Sequence, residues 1–276
     1  MIVKLKRSGD CARPLLTFYL MILNRLGNKE KIAHKIIRYF PKHDIYMEPF
    51  FGAGGMYFNK PKAKYNFLND LDDDVYNLFR QIIDNKEELI TLMKTVPITE
   101  TQFKEWGKGK REQTPVLNAI RFLVISNYGL YGKPDTLRIG AVNPRGMTLN
   151  GIENTFNYLA DAYFFKCDFR KFFDKCDYKT NKQKTFCYAD PPYLSTGSNY
   201  SDDFTEKDSL DLFNLLESSG VRWAMSEFNH PFIIEQAEKR NLTILRIGER
   251  KNLKNKRIEI LVMNYKNSKT FFNLND

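Results

Sequence analysis

The sequence predicts an α/β fold in which helices cover a mainly parallel sheet, with a mainly helical insertion in the middle of the chain. Short apolar runs that end in Gly, Pro or Asp alternate with helical patterns on both sides of the insertion. Between residues 86 and 163 this alternation stops. At 276 residues and 42% hydrophobic content, the chain can bury one sizeable core. We therefore expect a main domain formed by residues 1–85 and 164–276 and an inserted domain formed by residues 86–163.

The predicted elements follow the apolar runs in chain order. In the main domain we expect helices near residues 29–39, 73–84, 205–217 and 231–240. Strands are expected near residues 45–50, 65–69, 186–189, 221–226, 242–247 and 258–264. Inside the insertion, helices near residues 86–94 and 114–125 precede a polar, glycine-bearing loop over residues 127–150.

Charge and composition restrict the class of partner. The formal net charge of +10 favours a polyanion, although a lysine-rich, AT-biased genome would produce a similar excess. The four cysteines form no CxxC pair and the three histidines are scattered, so we expect no metal site. The apolar stretch at residues 14–23 is too short to cross a membrane, so we expect no membrane association.

A glycine-rich loop follows the first strand of the main domain. The sequence FGAGG at residues 51–55 would let a ligand approach the backbone closely, although an unliganded tight turn gives the same pattern. The next strand ends at Asp70, whose carboxylate could accept hydrogen bonds from a ribose diol. The loop and the acid together favour a ligand that carries a ribose.

The most informative motif is DPPY at residues 190–193, directly after an apolar run. Asp accepts hydrogen bonds from an exocyclic amino group, prolines fix the backbone and supply carbonyls, and a Tyr ring stacks on a flat base. Such a clamp would hold an amino nitrogen while its lone pair attacks a methyl donor. The alternative is a Pro-Pro turn that ends a strand beside an ordinary Asp and Tyr.

The order of the motifs resembles that of one known family. The chain carries Gly27-Asn28-Lys29, FGAGG, Asn69-Asp70, the segment FFKCDF at residues 164–169, and DPPY. This order is similar to that of the Dam-like, D12-class DNA adenine-N6 methyltransferases, which use S-adenosylmethionine. The resemblance spans most of the chain. One position departs from the pattern, because Arg25 stands where the family usually has an aromatic residue; its guanidinium plane can also stack.

The resemblance implies a Rossmann-like S-adenosylmethionine-dependent methyltransferase fold in which the main domain is catalytic and the insertion recognises the target. It implies direct methyl transfer, without a metal, to N6 of an adenine flipped out of double-stranded DNA. The implied catalytic residues are Asp190, Pro191, Pro192 and Tyr193. The implied cofactor contacts are Arg25, Lys29, Phe51, Gly52, Gly54, Asp70, Asp168 and Asp190.

The position of the insertion implies that its polar loop reads DNA, whereas without the resemblance a solvated loop would explain the same residues. The candidate DNA contacts in this loop are Tyr128, Tyr131, Lys133, Arg138, Asn143 and Arg145. Lys254 and Lys256, between the last two strands, are candidates for phosphate contacts or for a solvated hairpin.

Several alternatives stay open at this point. An amino-methyltransferase acting on RNA or on cytosine N4 would need the same clamp, and a non-catalytic DNA-binding regulator could keep the same fold. The resemblance implies an intracellular protein of a bacterial or phage-like source. It leaves open whether a cognate restriction endonuclease exists and whether the chain is a monomer or a weak dimer.

Overall fold

The structure, a computed structural model, describes residues 22–24, 28–138, 144–194, 204–251 and 256–266. A seven-stranded sheet forms its centre. The strands are β1 (Ile45–Glu48), β2 (Tyr65–Asn69), β3 (Ala162–Phe165), β4 (Thr185–Ala189), β5 (Arg222–Phe228), β6 (Thr243–Lys251) and β7 (Lys256–Met263). Every strand predicted for the main domain is present, and β3 follows the insertion.

The strand order is β3-β2-β1-β4-β5-β7-β6. The first five strands are parallel, whereas β7 runs antiparallel to both β5 and β6. This arrangement confirms the predicted Rossmann-like α/β fold. The chain direction across the sheet reverses between β1 and β4, and ligands of open α/β sheets bind at the carboxyl ends of the strands beside such a switch point.

Helices cover both faces of the sheet, and each face has its own hydrophobic cluster. The helices are α1 (Glu30–Ile37), α2 (Asp73–Asp84), α3 (Lys86–Thr95), α4 (Glu100–Gly107), α5 (Pro115–Tyr128), α6 (Pro144–Leu159), α7 (Phe169–Lys175), α8 (Glu206–Ser219) and α9 (Pro231–Lys239). Helices α1 to α6 share one cluster, so the inserted helices pack into the same core as the sheet. Helices α7, α8 and α9 belong to the other cluster. Within the described residues, no helix has both the length and the apolar character that a membrane crossing requires.

The expectation of a loop over residues 127–150 is wrong at both ends. Helix α5 continues to Tyr128, and helix α6 already begins at Pro144. The sequence of α6 is poor in strong helix formers and contains Gly146 and Gly151, which explains why periodicity did not reveal it. Tertiary packing compensates, because a Cβ on Gly151 would lie only 3.3 Å from Cα of Ile22.

Candidate active site

The glycine loop lies at the carboxyl end of β1 and depends on two backbone conformations that favour glycine. Gly52 has φ 55° and Gly54 has φ 73°. A Cβ on Gly54 would come within 2.6 Å of two ring carbons of Phe58, whereas a Cβ on Gly52 would meet nothing within 4 Å. The loop therefore packs tightly at Gly54 and leaves open space beside Gly52.

Asp70, at the end of β2, holds this loop in place. Its Oδ2 accepts a hydrogen bond of 2.6 Å from the Gly52 amide, and its Oδ1 accepts one of 2.9 Å from the Asp72 amide. Sequence reasoning placed Asp70 at a cofactor ribose and did not find this bracing role. The ribose contact stays a prediction, and the structure adds that the same carboxylate positions the loop on which a ligand would lie.

Asn69 joins three strand ends behind the loop. Its side-chain amide donates to the carbonyl of Pro49 at 3.0 Å and to that of Cys167 at 2.9 Å, and its Oδ1 accepts from the Cys167 amide at 3.0 Å. Asn69 is buried, so these bonds are shielded from water. The ends of β1, β2 and β3 are thus fixed relative to one another by one side chain.

The two neighbouring phenylalanines of the loop differ in their surroundings. The Phe51 ring is buried and lies edge-on to the rings of Phe79 and Phe164, at 5.0 and 5.1 Å between centroids. A ligand contact of Phe51 would therefore come from its backbone. Phe50, which sequence reasoning did not select, instead packs 5.3 Å from the ring of Phe169 on the opposite side of the sheet.

Asp168 begins helix α7 and serves as its N-cap. Its carboxylate accepts a hydrogen bond of 2.8 Å from the Arg170 amide and lies 3.1 Å from the Arg170 guanidinium. The same guanidinium also pairs with Asp208 and Asp211 of α8. The structure thus gives Asp168 a capping role, and its predicted cofactor contact remains a prediction.

The DPPY segment follows β4 directly and brings two predicted groups together. Lys29 Nζ lies 2.7 Å from Asp190 Oδ1 and 4.5 Å from the centroid of the Tyr193 ring. Pro191 is buried and Pro192 is half-buried between them. Sequence reasoning assigned Lys29 to the cofactor, whereas its ammonium group in the structure is at the amine clamp.

Lys29 reaches the clamp because helix α1 begins against the glycine loop. A Cβ on Gly55 would lie 2.5 Å from Asn28 Oδ1 and 3.0 Å from the Lys29 amide nitrogen, so only glycine permits this approach. Asn28 Oδ1 in turn accepts a hydrogen bond from the Glu30 amide at 3.0 Å. The Gly-x-Lys segment and the FGAGG loop are therefore parts of one packed unit.

Three buried glutamates surround the clamp, and sequence reasoning missed all of them. Glu259 on β7 accepts a hydrogen bond of 3.1 Å from the Tyr193 hydroxyl. Glu227 on β5 accepts one of 2.7 Å from the Phe228 amide, and Glu48 at the end of β1 accepts one of 2.8 Å from the Tyr46 hydroxyl. Each of these acids stands within an apolar strand pattern, which was the signal that could have found them.

Burial dominates the protonation of these groups. It raises the pKa of Glu227 to about 8 and that of Glu48 well above its usual range, and the nearby charge of Asp190 adds to both shifts. Burial likewise raises the pKa of Tyr193, so its phenol stays protonated and can donate to Glu259. The clamp therefore lies in an environment of low polarity in which charges interact strongly.

The predicted DNA-contact residues of the insertion fall into different settings. Lys133 and Arg138 are exposed, in a short segment closed by a bridge between Gly129 and Leu137. Tyr128 is half-buried at the end of α5. Tyr131 lies in a 3-10 turn, and Lys256, outside the insertion, begins β7. The predicted DNA contacts Asn143 and Lys254 lie outside the described residues, as does the predicted cofactor contact Arg25.

Arg145 has a structural role that the sequence did not indicate. It stands in the first turn of α6, and its guanidinium donates hydrogen bonds to the carbonyls of Met93, Lys94 and Val96 at 2.7 to 2.8 Å. These carbonyls lie at the carboxyl end of α3, where helix carbonyls have no partner within the helix. The guanidinium therefore caps α3, which is a different task from reading a base edge.

Among the residues that the structure describes, no three His, Cys, Asp or Glu side chains are grouped in a way that could hold a metal ion. The acids near the clamp are instead paired with Lys29, with tyrosine hydroxyls or with backbone amides.

Comparisons with known proteins agree with the geometry of the site. The chain is 25% identical to the modification methylase StsI of Streptococcus sanguinis, over 92% of the chain and 44% of that protein. It is 25% identical to the DNA adenine methylase of Escherichia coli (strain K12), over 63% of the chain and 66% of that protein. The type II methyltransferase M1.LlaDCHI of Lactococcus lactis subsp. cremoris is also 25% identical, over 87% of the chain and 94% of that protein.

The family comparison covers nearly all of the elements described above. A family model for D12 class N6 adenine-specific DNA methyltransferases matches residues 26–257, which includes the glycine loop, Asp70, the insertion and DPPY. This match confirms the resemblance found in the order of the motifs. The chain belongs to the D12 class of N6 adenine-specific DNA methyltransferases.

Proposed function

We propose that this protein transfers a methyl group from S-adenosylmethionine to N6 of an adenine in double-stranded DNA. The observation that supports this most directly is the position of Asp190 and its neighbours at the carboxyl end of β4, beside the glycine loop at the end of β1. A ligand on the loop and an amino group at Asp190 would be neighbours across the switch point. Membership of the family identifies the two ligands.

The surroundings of the glycine loop fit the cofactor. The open space beside Gly52 would admit a ligand to the backbone, and Asp70 is within reach of the same loop. Leu71, the next residue, exposes 56% of its surface and offers an apolar side chain on which a flat ring could pack. When bound, S-adenosylmethionine supplies a methyl group on a positively charged sulfur.

The residues of the clamp would hold and orient the amine. Asp190 would accept a hydrogen bond from the N6 amino group next to its contact with Lys29, and the rigid prolines would keep its backbone fixed. The N–C bond forms as the S–C bond breaks, and the nitrogen releases one proton to solvent. The main contribution of the protein is alignment of the two reactants, which removes a large entropic barrier.

The cysteines argue against a covalent route to cytosine carbon-5. Such a route needs a reactive thiolate. Burial raises the pKa of Cys187 well above its usual range and also raises the pKa of Cys176 and of Cys167. Within the described part of the chain, a thiol nucleophile is therefore disfavoured, and direct transfer to an amino group is favoured.

The proposed substrate places the protein with DNA inside the cell. Two of the relatives are named a modification methylase and a type II methyltransferase. A cognate restriction endonuclease is therefore the protein partner that we propose to test first.

The experiment is a methyl-transfer assay with labelled S-adenosylmethionine and duplex DNA, followed by digestion and mass spectrometry of the nucleosides. We expect N6-methyladenine as the product. Matched reactions with RNA and with DNA that lacks adenine serve as controls. Label found only in RNA, or only as N4-methylcytosine, would overturn the proposal.

A further inference from the structure

Glu259 connects the two functional side chains of the clamp, although it lies far from DPPY in the sequence and outside every motif found there. It is 1% exposed, and its Oε1 lies 3.1 Å from the Tyr193 hydroxyl and 3.6 Å from Lys29 Nζ. Lys29 in turn contacts Asp190 at 2.7 Å. Glu259 and Lys29 thus connect Tyr193, at one end of DPPY, to Asp190 at the other end.

Strand pairing fixes where Glu259 points. On the antiparallel strands β5 and β7, Glu259 lies directly opposite Phe228, so the two side chains share one face of the sheet. The Phe228 ring packs edge-on against the Tyr193 ring, with 4.7 Å between centroids and 81° between planes. Glu259 is therefore held on the Tyr193 side by the register of the sheet.

The environment of Glu259 makes a purely structural role costly. The rest of the buried part of β7, Ile260–Met263, is apolar, and a carboxylate in such a place loses several kcal/mol of hydration. An apolar side chain would fill the strand at lower cost. The presence of an acid at this buried position is therefore explained by an action of its charge on the neighbouring side chains.

The charges of Lys29, Asp190 and Glu259 indicate how Glu259 acts on its neighbours. A Lys29–Asp190 pair alone would be neutral, and the ammonium would offset the acid that must attract the amine. Counting only the described contacts of Lys29 with Asp190 and Glu259, one positive charge faces two negative charges. During methyl transfer positive charge passes from sulfur to the amino nitrogen, and a fixed negative charge near that nitrogen stabilises the transition state.

We infer that Glu259 is a positioning residue of the methyl-transfer site: it offsets the charge of Lys29, so that Asp190 keeps its negative charge for the target amine, and it fixes the Tyr193 ring through the hydroxyl. This inference rests on the proposed function, since it requires that an amine be methylated at Asp190.

Single-turnover methyl transfer at saturating cofactor tests the inference in three variants: Glu259→Gln, Glu259→Asp and Glu153→Gln. We expect Glu259→Gln to be roughly tenfold or more slower, because the charge facing Lys29 is lost. Glu259→Asp keeps the charge and should be closer to the wild type. Glu153→Gln is the matched control: it removes a carboxylate that pairs with a lysine, Lys86 at 3.0 Å, on the inserted helices and outside the clamp, so the rate should stay within about threefold.

A charge-restoring double variant separates this role from simple packing. In the double variant Lys29→Met with Glu259→Gln, Asp190 is the only charged side chain left at these three positions, so their net charge is again −1, as in the wild type. We therefore expect the double variant to be faster than Glu259→Gln alone. A double variant slower than Glu259→Gln, or a Glu259→Gln rate equal to that of the wild type, would overturn the inference. The wild-type reaction on duplex DNA tests the proposed function separately. The inference depends only on the rates of the variants relative to the wild type, measured on whichever substrate the wild type methylates.

Discussion

The clamp at the carboxyl end of β4 and the insertion of α3 to α6 use their charged residues in opposite ways. At the clamp, Lys29 and Glu259 are buried, Asp190 is half-buried, and Lys29 contacts both acids. In the insertion, the Arg145 guanidinium donates to backbone carbonyls at the end of α3, and that of Arg121 donates to the Lys110 carbonyl and pairs with Asp74 of α2, so both hold helices in place. A charged residue in a segment that resembles a binding loop can therefore serve the fold instead, as Arg145 does.

The largest effect that we expect tests the clamp side of this comparison. Asp190→Ala removes the acceptor for the target amine and leaves Lys29 facing Glu259 alone, so methyl transfer should fall by about a thousandfold or more. Because the residue is half-buried at a strand end, the fold should persist. Single-turnover assays and circular dichroism measure the two quantities.

The exposed Asp161, which pairs with Lys62 at the surface, supplies the control. Asp161→Ala should leave the rate unchanged. Methylation by Asp190→Ala at a rate close to that of the wild type would show that the clamp is elsewhere.

The next effect concerns the pH dependence of the free energy of unfolding. It adds to the comparison with the insertion, because a charged carboxylate buried near the clamp lowers stability. In the folded state the pKa of Glu227 is about 8, whereas in the unfolded chain the side chain has its ordinary pKa of 4.5. The folded state thus binds more protons between these values, and the contribution of Glu227 to stability falls as the pH rises through this window.

Glu227→Gln removes that penalty. Relative to the wild type, the variant should gain stability with rising pH, reaching on the order of a few kcal/mol at pH 9 and little at pH 5. Urea denaturation at the two pH values measures the difference. A difference that does not grow with pH would contradict the raised pKa.

A smaller effect is expected at the glycine loop. Asp70→Ala leaves the amides of Gly52 and Asp72 without their acceptor and removes the predicted ribose contact. Cofactor affinity should fall by about 1–3 kcal/mol, while transfer at saturating cofactor should change much less than in Asp190→Ala. Calorimetry with S-adenosylmethionine measures the affinity, and Asp70→Asn, which keeps one acceptor oxygen, should lie in between. Unchanged affinity in Asp70→Ala would mean that the cofactor is bound elsewhere.

The elements of the fold could be predicted from the sequence because each has a local cause. Strand β2 and helix α2 occur where a short apolar run and a helical pattern predict them, and in the structure Asp72 caps α2 by accepting from the Asp74 and Val75 amides. Helix α6 could not be predicted, since its glycines oppose helix formation and it is stabilised by packing against Ile22 and by contacts with the neighbouring helices.

The same distinction applies to the site. DPPY and FGAGG could be found in the sequence because the residues that act together in each motif are consecutive. Glu259 on β7 contacts Tyr193, and Glu227 on β5 accepts a hydrogen bond from the Leu194 amide directly after DPPY; only the pairing of β5 and β7 in the sheet brings these acids there. A lone Glu in an apolar strand indicates that something unusual is buried, but it does not indicate which partner the acid meets.

The smallest effects that we expect test the insertion side, where two arginines of the same predicted reading segment should differ. Arg145→Ala leaves three carbonyls at the end of α3 without a donor, so it should lower the free energy of unfolding by about 1–3 kcal/mol without changing sequence preference.

Arg138 is exposed, and its side chain is free to meet a duplex. Arg138→Ala should therefore leave stability within about 0.5 kcal/mol of the wild type and cost roughly 1 kcal/mol of discrimination between cognate and scrambled duplexes. Thermal denaturation and competition binding on both duplexes measure these quantities for both variants. A loss of discrimination in Arg145→Ala without a loss of stability would reverse the assignment, because it would show that this guanidinium leaves α3 to bind DNA.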